Sequence, residues 1–244
     1  MPVAVTSYTD STTRIVNAAK ESKGKYVCVS NVHMCMEAFD NVQFKKIVNN
    51  ANLVVPDGMP LVWGLHLLGE KMARQVRGSD LMLHLCEEAQ KQDIPIGLYG
   101  GNPGSLTDLI KFLHKEFPRL KIHFSFSPPF RTLTPEEDNN YTNEINGSGA
   151  KILFVGIGCP KQENWMAEHK DKLSCVMIGV GAAFDFFSGR KKHAPRWMQK
   201  SGLEWVFRLA SDPKRLWKRY FKHNPRFIWY FGKQWLAYKF HTKS

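Results

Sequence analysis

The chain has 244 residues, 43% hydrophobic and 23% charged, with a formal net charge of +12. That length and composition suit a folded chain with a sizeable core and exclude disordered and collagen-like classes. No run approaches the roughly 18 apolar residues of a membrane span. Met1–Asp10 also lacks a basic stretch followed by an apolar one, so a cytoplasmic location is expected.

Taken in order, residues 1–189 alternate short apolar runs with amphipathic segments. Thr9-Asp10-Ser11 can cap a helix reaching about Ser22. Tyr26–Ser30 reads as a strand, His33–Asn50 as a helix, Leu53–Val55 as a strand and Ser79–Gln92 as a helix. Pro95–Tyr99, Lys121–Phe124, Ile152–Val155 and Cys175–Ile178 complete the strands. Between them lie helices near Pro103–Phe117, Pro135–Asn146 and Pro160–Lys170. Pro103, Pro135 and Pro160 each suit a first helical turn. Continuous apolar runs of four or five residues are what strands covered on both faces look like. The predicted class is α/β: a Rossmann-like, mostly parallel sheet with helices on both faces. Ligands of such sheets bind beyond the carboxyl ends of the strands.

Cys28, Cys35, Cys86, Cys159 and Cys175 are odd in number and form no CxxC pair, which argues against disulfides and a zinc site. Cys28, Cys86 and Cys175 lie in apolar runs and read as core residues.

The strand ends carry the candidate chemistry. Ser30-Asn31 follows the first strand and Pro56-Asp57-Gly58 the second. Asp57 either caps the next helix or projects a carboxylate into a cleft. Three glycine-bearing turns precede helices: Gly100-Gly101-Asn102-Pro103, Gly156-Ile157-Gly158-Cys159-Pro160-Lys161-Gln162 and Gly179-Val180-Gly181-Ala182. Backbone amides in such turns approach phosphates closely. Together they suit a ligand with phosphates and several polar edges, such as a nucleotide-sugar. The GxGxxG fingerprint, a Walker A motif and a GxSxG elbow are absent, which disfavours the rival reading of a nucleotide-binding oxidoreductase. No DxD pair is present to hold a metal on a diphosphate, so no metal and no cofactor are expected there. Arg77, near Asp80, is open to either an anion or a salt bridge.

The charge is uneven. Residues 190–244 hold 15 Lys+Arg against 2 Asp+Glu, together with 13 aromatic residues, leaving 19 of the 34 basic and 20 of the 22 acidic side chains for residues 1–189. From Leu203 the pattern is helical and amphipathic, and Arg208 and Arg215, seven apart, would share a helix face. A basic aromatic helix of this kind suits an anionic membrane surface, with Lys222, Arg226 and Lys233 facing it. Trp217, Trp229, Tyr230 and Trp235 suit the headgroup level. Single-stranded nucleic acid, a weaker reading, is contradicted by the near-neutral remainder, so no nucleic-acid partner is expected. A homo-oligomer built on the aromatics stays open.

Read jointly, Asp57–Trp63, Arg77–Leu81, Gly100-Gly101, Val155–Glu163, Gly179–Phe186, Ala194–Trp197, Gly202–Trp205 and Arg208-Leu209 closely resemble the WecG/TagA/CpsF family, glycosyltransferase family 26, over about residues 2–235. The resemblance implies an inverting, metal-independent transfer from a UDP-sugar to a saccharide on undecaprenyl diphosphate, in bacterial cell-surface polysaccharide synthesis. N-acetylmannosamine would be the sugar, with UDP-glucose or a UDP-uronic acid as the alternative donor. It places the base on Asp57, and the polar residues after the first strand on Ser30 and Asn31. Ser30 is a departure from the usual Thr that keeps the hydroxyl. Donor contacts would fall on Gln162, with Arg77, Gly100, Gly101, Gly158, Lys161, Gly181 and Asp185 around it. Appendage cations would fall on Arg208, Arg215 and Arg219, the last exchangeable with Lys218. Residues 1–195 would then form the catalytic α/β part and 196–244 a helical appendage, with the protein peripheral on the inner membrane face. A free Asp has a pKa of about 3.9, so a base at Asp57 needs partial burial.

Overall fold

The computed structural model describes residues 1–241. Among them, six strands form one all-parallel, Rossmann-like sheet: β1 (Lys25–Ser30), β2 (Leu53–Pro56), β3 (Ile96–Gly100), β4 (Ile122–Phe126), β5 (Ile152–Gly156) and β6 (Val176–Gly179). Their order across the sheet is β2-β1-β6-β5-β3-β4. Every residue of β2, β3 and β6 is buried, which is why their sequences read as unbroken apolar runs. β4 closes one edge and exposes His123 and Ser125. Registers such as Cys28↔Val54, Val27↔Ile178 and Phe154↔Ile178 bring the carboxyl ends of the strands to one edge.

Alternate residues of each strand enter two separate cores, as period-2 geometry requires. Val27, Ile96 and Phe154 pack with α1 (Tyr8–Lys20), α5 (Gly78–Lys91) and α6 (Pro103–Glu116) through Ile15, Leu85 and Leu109. Tyr26, Cys28 and Leu153 pack on the other face against α2 (Val32–Asp40), α3 (Val42–Asn49), α7 (Pro135–Ser148) and α8 (Lys161–His169) through Met34, Phe44, Ile145 and Met166. Each fully buried Leu, Ile or Met there contributes about 1.5–3 kcal/mol. Cys28, Cys86 and Cys175 are buried within these layers as free thiols. The remaining helices are α4 (Met59–Leu67), α9 (Ala183–Phe187), α10 (Arg196–Lys200), α11 (Glu204–Ser211) and α12 (Pro213–His241).

Four local features differ from the sequence reading. Ser7, not the Thr9–Ser11 run, caps α1: its Oγ accepts from Asp10 N at 3.2 Å. The segment expected as one helix over 33–50 is two, because Asn41 is extended and its Oδ1 accepts from Gln43 N and Phe44 N at 2.9 and 3.0 Å. The C-terminal helix is broken at Asp212, which precedes Pro213 and takes an extended φ of −144°. Arg208 and Arg215 therefore sit on different helices, α11 and α12. Finally, α12 folds back onto α2, where Arg226 Nη1 meets Asp40 Oδ2 at 2.8 Å and Lys222 lies 3.9 Å away. Arg226, one of the cations expected at a membrane, thus faces the body of the protein, while Lys222 stays largely exposed beside it. No helix among the described residues is long and apolar enough to cross a membrane.

The ends of β3 and β5 meet closely. Gly100 has φ +133°, and a Cβ there would lie 2.6 Å from the carbonyl carbon and oxygen of Gly156. The obstacle is backbone, which cannot swing aside. Gly100→Ala is expected to cost about 2 kcal/mol or more, from strain plus overpacking. Urea unfolding checks this, and an unchanged midpoint would contradict the contact.

Candidate active site

The site begins where β2 ends. Asp57 N donates to Ser30 O at 2.7 Å, prolonging the β1–β2 ladder by one rung and setting the carboxylate at the sheet edge. Its Oδ1 accepts from Gly78 N, the first amide of α5, at 3.0 Å. A helix N-terminus favours a negative charge there. Gln75 Nε2 donates to the Asp57 carbonyl at 2.6 Å and holds the backbone. α4 receives no cap from Asp57, since Gly58 is its N-cap residue. Asp57 therefore does not cap the helix that follows it, and its carboxylate instead meets the first amide of α5. Asn31 caps α2 through its Oδ1, which accepts from Met34 N at 3.3 Å, and its side chain also steadies the Asp57 carboxylate. Burial raises the Asp57 carboxyl above its ordinary value of 3.8; Glu204 adds to this, while Arg208 and the Gly78 and Asn31 hydrogen bonds oppose it.

Arg208 arrives from α11. It forms an ion pair with Glu204 and stands over the Phe186 ring at 5.1 Å. Burial alone would lower its pKa, but the Glu204 and Asp57 carboxylates more than offset that. Its Nε is buried without a hydrogen-bond partner.

Three adjoining cavities run along the carboxyl edge of the sheet. The central one, about 540 Å³, is lined by Asp57, Gly158, Gln162, Gly181, Arg208 and Arg215. On one side it opens into an apolar chamber of about 750 Å³ between α4 and α12, lined by Trp63, Leu67, Trp205, Phe227, Phe231 and Trp235. On the other it meets a cavity of about 910 Å³ lined by Tyr99, Lys161, Trp165, Asp185, Lys191 and Arg215. Asn31, His33, Asp57, Arg208 and Arg219 border both the central cavity and the chamber. Asp57 therefore stands at the junction of a polar and an apolar space. On the polar side Tyr99 and Trp165 stack at 4.3 Å. Two carboxylates near by are held by cations, Asp185 by Lys191 at 2.5 Å and, at the central cavity, Asp212 by Arg215 at 2.6 Å.

Other residues singled out in the sequence lie differently. Ser30 is fully buried, its Oγ 3.9 Å from Cys35 Sγ, and borders none of the three cavities. Arg77 is engaged by Asp80, with Nε at 3.0 Å, and approaches Glu204 at 3.9 Å; it too stays outside them. Gly100 is buried behind the edge, while Gly101 borders the Tyr99–Trp165 cavity. Gln162 is locked from both ends: its Oε1 accepts from Gly158 N at 3.2 Å, and its Nε2 donates to Glu163 Oε1 at 2.7 Å. Burial lifts the Glu163 carboxyl to about 7. Sequence reasoning missed His33, Arg190, Lys191, Tyr99 and Trp165 as cavity residues. Arg190 and Lys191 carried a signal, their place at the start of the basic segment.

A parallel α/β sheet whose carboxyl edge gathers glycine turns, cations and one recessed carboxylate has the make-up of a glycosyltransferase. The family model described as Glycosyl transferase WecG/TagA/CpsF family matches residues 1–241, and the chain belongs to that family. It is similar to the N-acetylglucosaminyldiphosphoundecaprenol N-acetyl-beta-D-mannosaminyltransferase of Bacillus spizizenii (strain ATCC 23059 / NRRL B-14472 / W23), at 26% identity over 82% of this chain and 76% of the relative. A protein with the same description from Bacillus subtilis (strain 168) is 28% identical over 80% of this chain and 75% of the relative.

The Asp57 environment makes a two-sided prediction. Its folded carboxyl titrates above the unfolded one, so ionisation costs the folded state stability as pH rises through that window. Asp57→Asn should therefore leave a folded protein that lacks this pH-dependent loss of Tm, while turnover falls roughly 10²-fold or more, the scale for a lost general base. A folded Asn variant that keeps wild-type turnover would remove Asp57 from the chemistry.

Proposed function

We propose that the chain transfers an N-acetylmannosamine-type sugar from a UDP-sugar, with inversion, to the N-acetylglucosamine of an undecaprenyl-diphosphate acceptor. The carrying observation is the position of Asp57 and Arg208 at the junction of the polar cavity and the apolar chamber. The acceptor would enter from the apolar side and the nucleotide lie on the polar side. Asp57 takes the proton of the acceptor hydroxyl as its oxygen bonds to the anomeric carbon. The bond from that carbon to the UDP oxygen breaks on the opposite face. The charge growing on the departing diphosphate is met by Arg208, Arg215 and Lys191, which line the central cavity. Gln162, bordering the same cavity, contacts the donor. The names of the Bacillus relatives support this choice of sugar and acceptor.

In this reading residues from 196 onward form an appendage that both completes the site and rests on the inner face of the membrane. Exposed Trp217, Phe221, Ile228, Trp229 and Phe240 on α12 suit an interfacial position, with Lys233 4.8 Å from the Trp229 ring centroid.

Two experiments test the proposal. A short-chain lipid-diphosphate N-acetylglucosamine is incubated with UDP-sugars and the products read by mass. The N-acetylmannosamine adduct is expected, and turnover should persist in excess EDTA. Loss of activity restored by Mg²⁺ or Mn²⁺ would overturn the metal-free site. In the same soluble assay an Arg208→Ala/Arg215→Ala double variant should lose activity. Lys214→Glu/Lys233→Glu should instead keep it and bind anionic liposomes less well, in a salt-dependent way. Full activity of the arginine double variant would reduce the appendage to an anchor.

A further inference from the structure

The contact between α2 and α12 holds a group of side chains that the transfer reaction does not use. On α2, His33, Glu37 and Asp40 follow one another at helical spacing, so all three can face α12. Asp40 is occupied by Arg226 and Lys222. Glu37 sits between two imidazoles: its Oε1 lies 3.5 Å from His33 Nε2 and 3.4 Å from His223 Nε2. These separations are too long for good hydrogen bonds. His223 is buried, and its Nδ1 has no hydrogen-bond partner.

The spacing suits another occupant. A four-coordinate ion with ligands at about 2.0–2.2 Å has its ligand atoms about 3.3–3.5 Å apart. Two of the three separations here already have that length. All three ligand atoms lie within 4.8 Å of one another, so rotation of the two rings closes the third. We propose that His33, Glu37 and His223 form a binding site for a transition-metal ion, Zn²⁺ foremost, that staples the appendage helix α12 to α2.

Two imidazole nitrogens and one carboxylate select Zn²⁺, Co²⁺ or Ni²⁺ over the oxygen-seeking Mg²⁺ and Ca²⁺. Burial favours the neutral, ligating form of both rings. The charges facing the group are Arg219, Lys222 and Arg226, with Asp40 opposing them. This positive surround weakens the site, so occupancy follows the metal supply. His33 borders the central cavity and the chamber, and His223 borders the chamber, so the fourth coordination position opens to the cleft. The ion is no part of the transfer chemistry. α12 remains held by the Arg226–Asp40 pair when the metal is stripped, and the metal readouts below do not depend on turnover.

The test uses the full chain, stripped with EDTA and desalted. Titration with Co²⁺ should produce visible d–d absorption at one equivalent, displaced by Zn²⁺ and untouched by Mg²⁺. Zn²⁺ should raise the Tm as a native-state ligand does. Glu37→Gln and His223→Gln, each checked for folding by circular dichroism, should bind Co²⁺ at least 10-fold more weakly and lose the Zn²⁺-dependent Tm rise. Should His223→Gln fail to fold, His33→Gln carries the same test. Absence of Co²⁺ binding, equal affinity in the folded variants, or intense near-ultraviolet thiolate bands marking cysteine ligation would each overturn the proposal.

Discussion

The arrangement depends on one recessed electrostatic cluster at the sheet edge: the Arg208 guanidinium, ion-paired with Glu204 and acting on the Asp57 carboxylate across the same cleft. A cation so placed is costly unless its partners are close, and the carboxylates are equally costly without it. Asp57 belongs to the end of β2 and Arg208 to α11, so the cluster forms only when the C-terminal helices fold over the sheet edge. Without α11, Asp57 would open to water and its carboxyl would relax toward its ordinary value. The same closure that supplies a cation thus makes the carboxylate a better base.

The parallel sheet contributes assembly. Because all six strands run the same way, the turns after β1, β2, β3, β5 and β6 reach one edge although they are far apart in the chain. The flanking helices then divide that edge by polarity. α4 and α12 bring Trp63, Phe231 and Trp235 to one side, while the turns after β5 and β6 bring backbone amides, Lys161 and Lys191 to the other. A transferase that joins a polar donor to a lipid-borne acceptor needs this division, with its reacting groups at the boundary.

α12 has two faces with different roles. Towards the protein it presents Arg219, His223 and Arg226, and pairs with α2 through Asp40 and the Glu37 histidine cluster. Outward it leaves Trp217, Ile228 and Trp229 exposed. Basic charge on one helix therefore serves docking as well as any external surface, and residue counts alone do not divide the two.

The strands were legible within a residue or two because burial on both faces leaves continuous apolar runs, a local property of the chain. The turn glycines, Asp57 and the basic appendage were legible too, since turn chemistry and charge are written in neighbouring residues. The breaks at Asn41 and Asp212 were not anticipated, as helical periodicity continues across both and only the capping by Asn41 and the stop before Pro213 decide them. Ser30 and Arg77 looked like site residues by position, yet Ser30 points into the core and Arg77 is claimed by Asp80. Tyr99 beside Trp165, and His33 beside His223, carry no sequence signal, because contact between distant elements depends on strand order and on which face of α2 receives α12. The sequence by itself determined the elements, the set of loops at the sheet edge and the separation of charge along the chain, all of which follow from local sterics and solvation. Which side chains meet, which carboxylate loses its water and which arginine replaces it were decided only by the tertiary structure, since desolvation and Coulomb energy depend on neighbours the chain order does not specify.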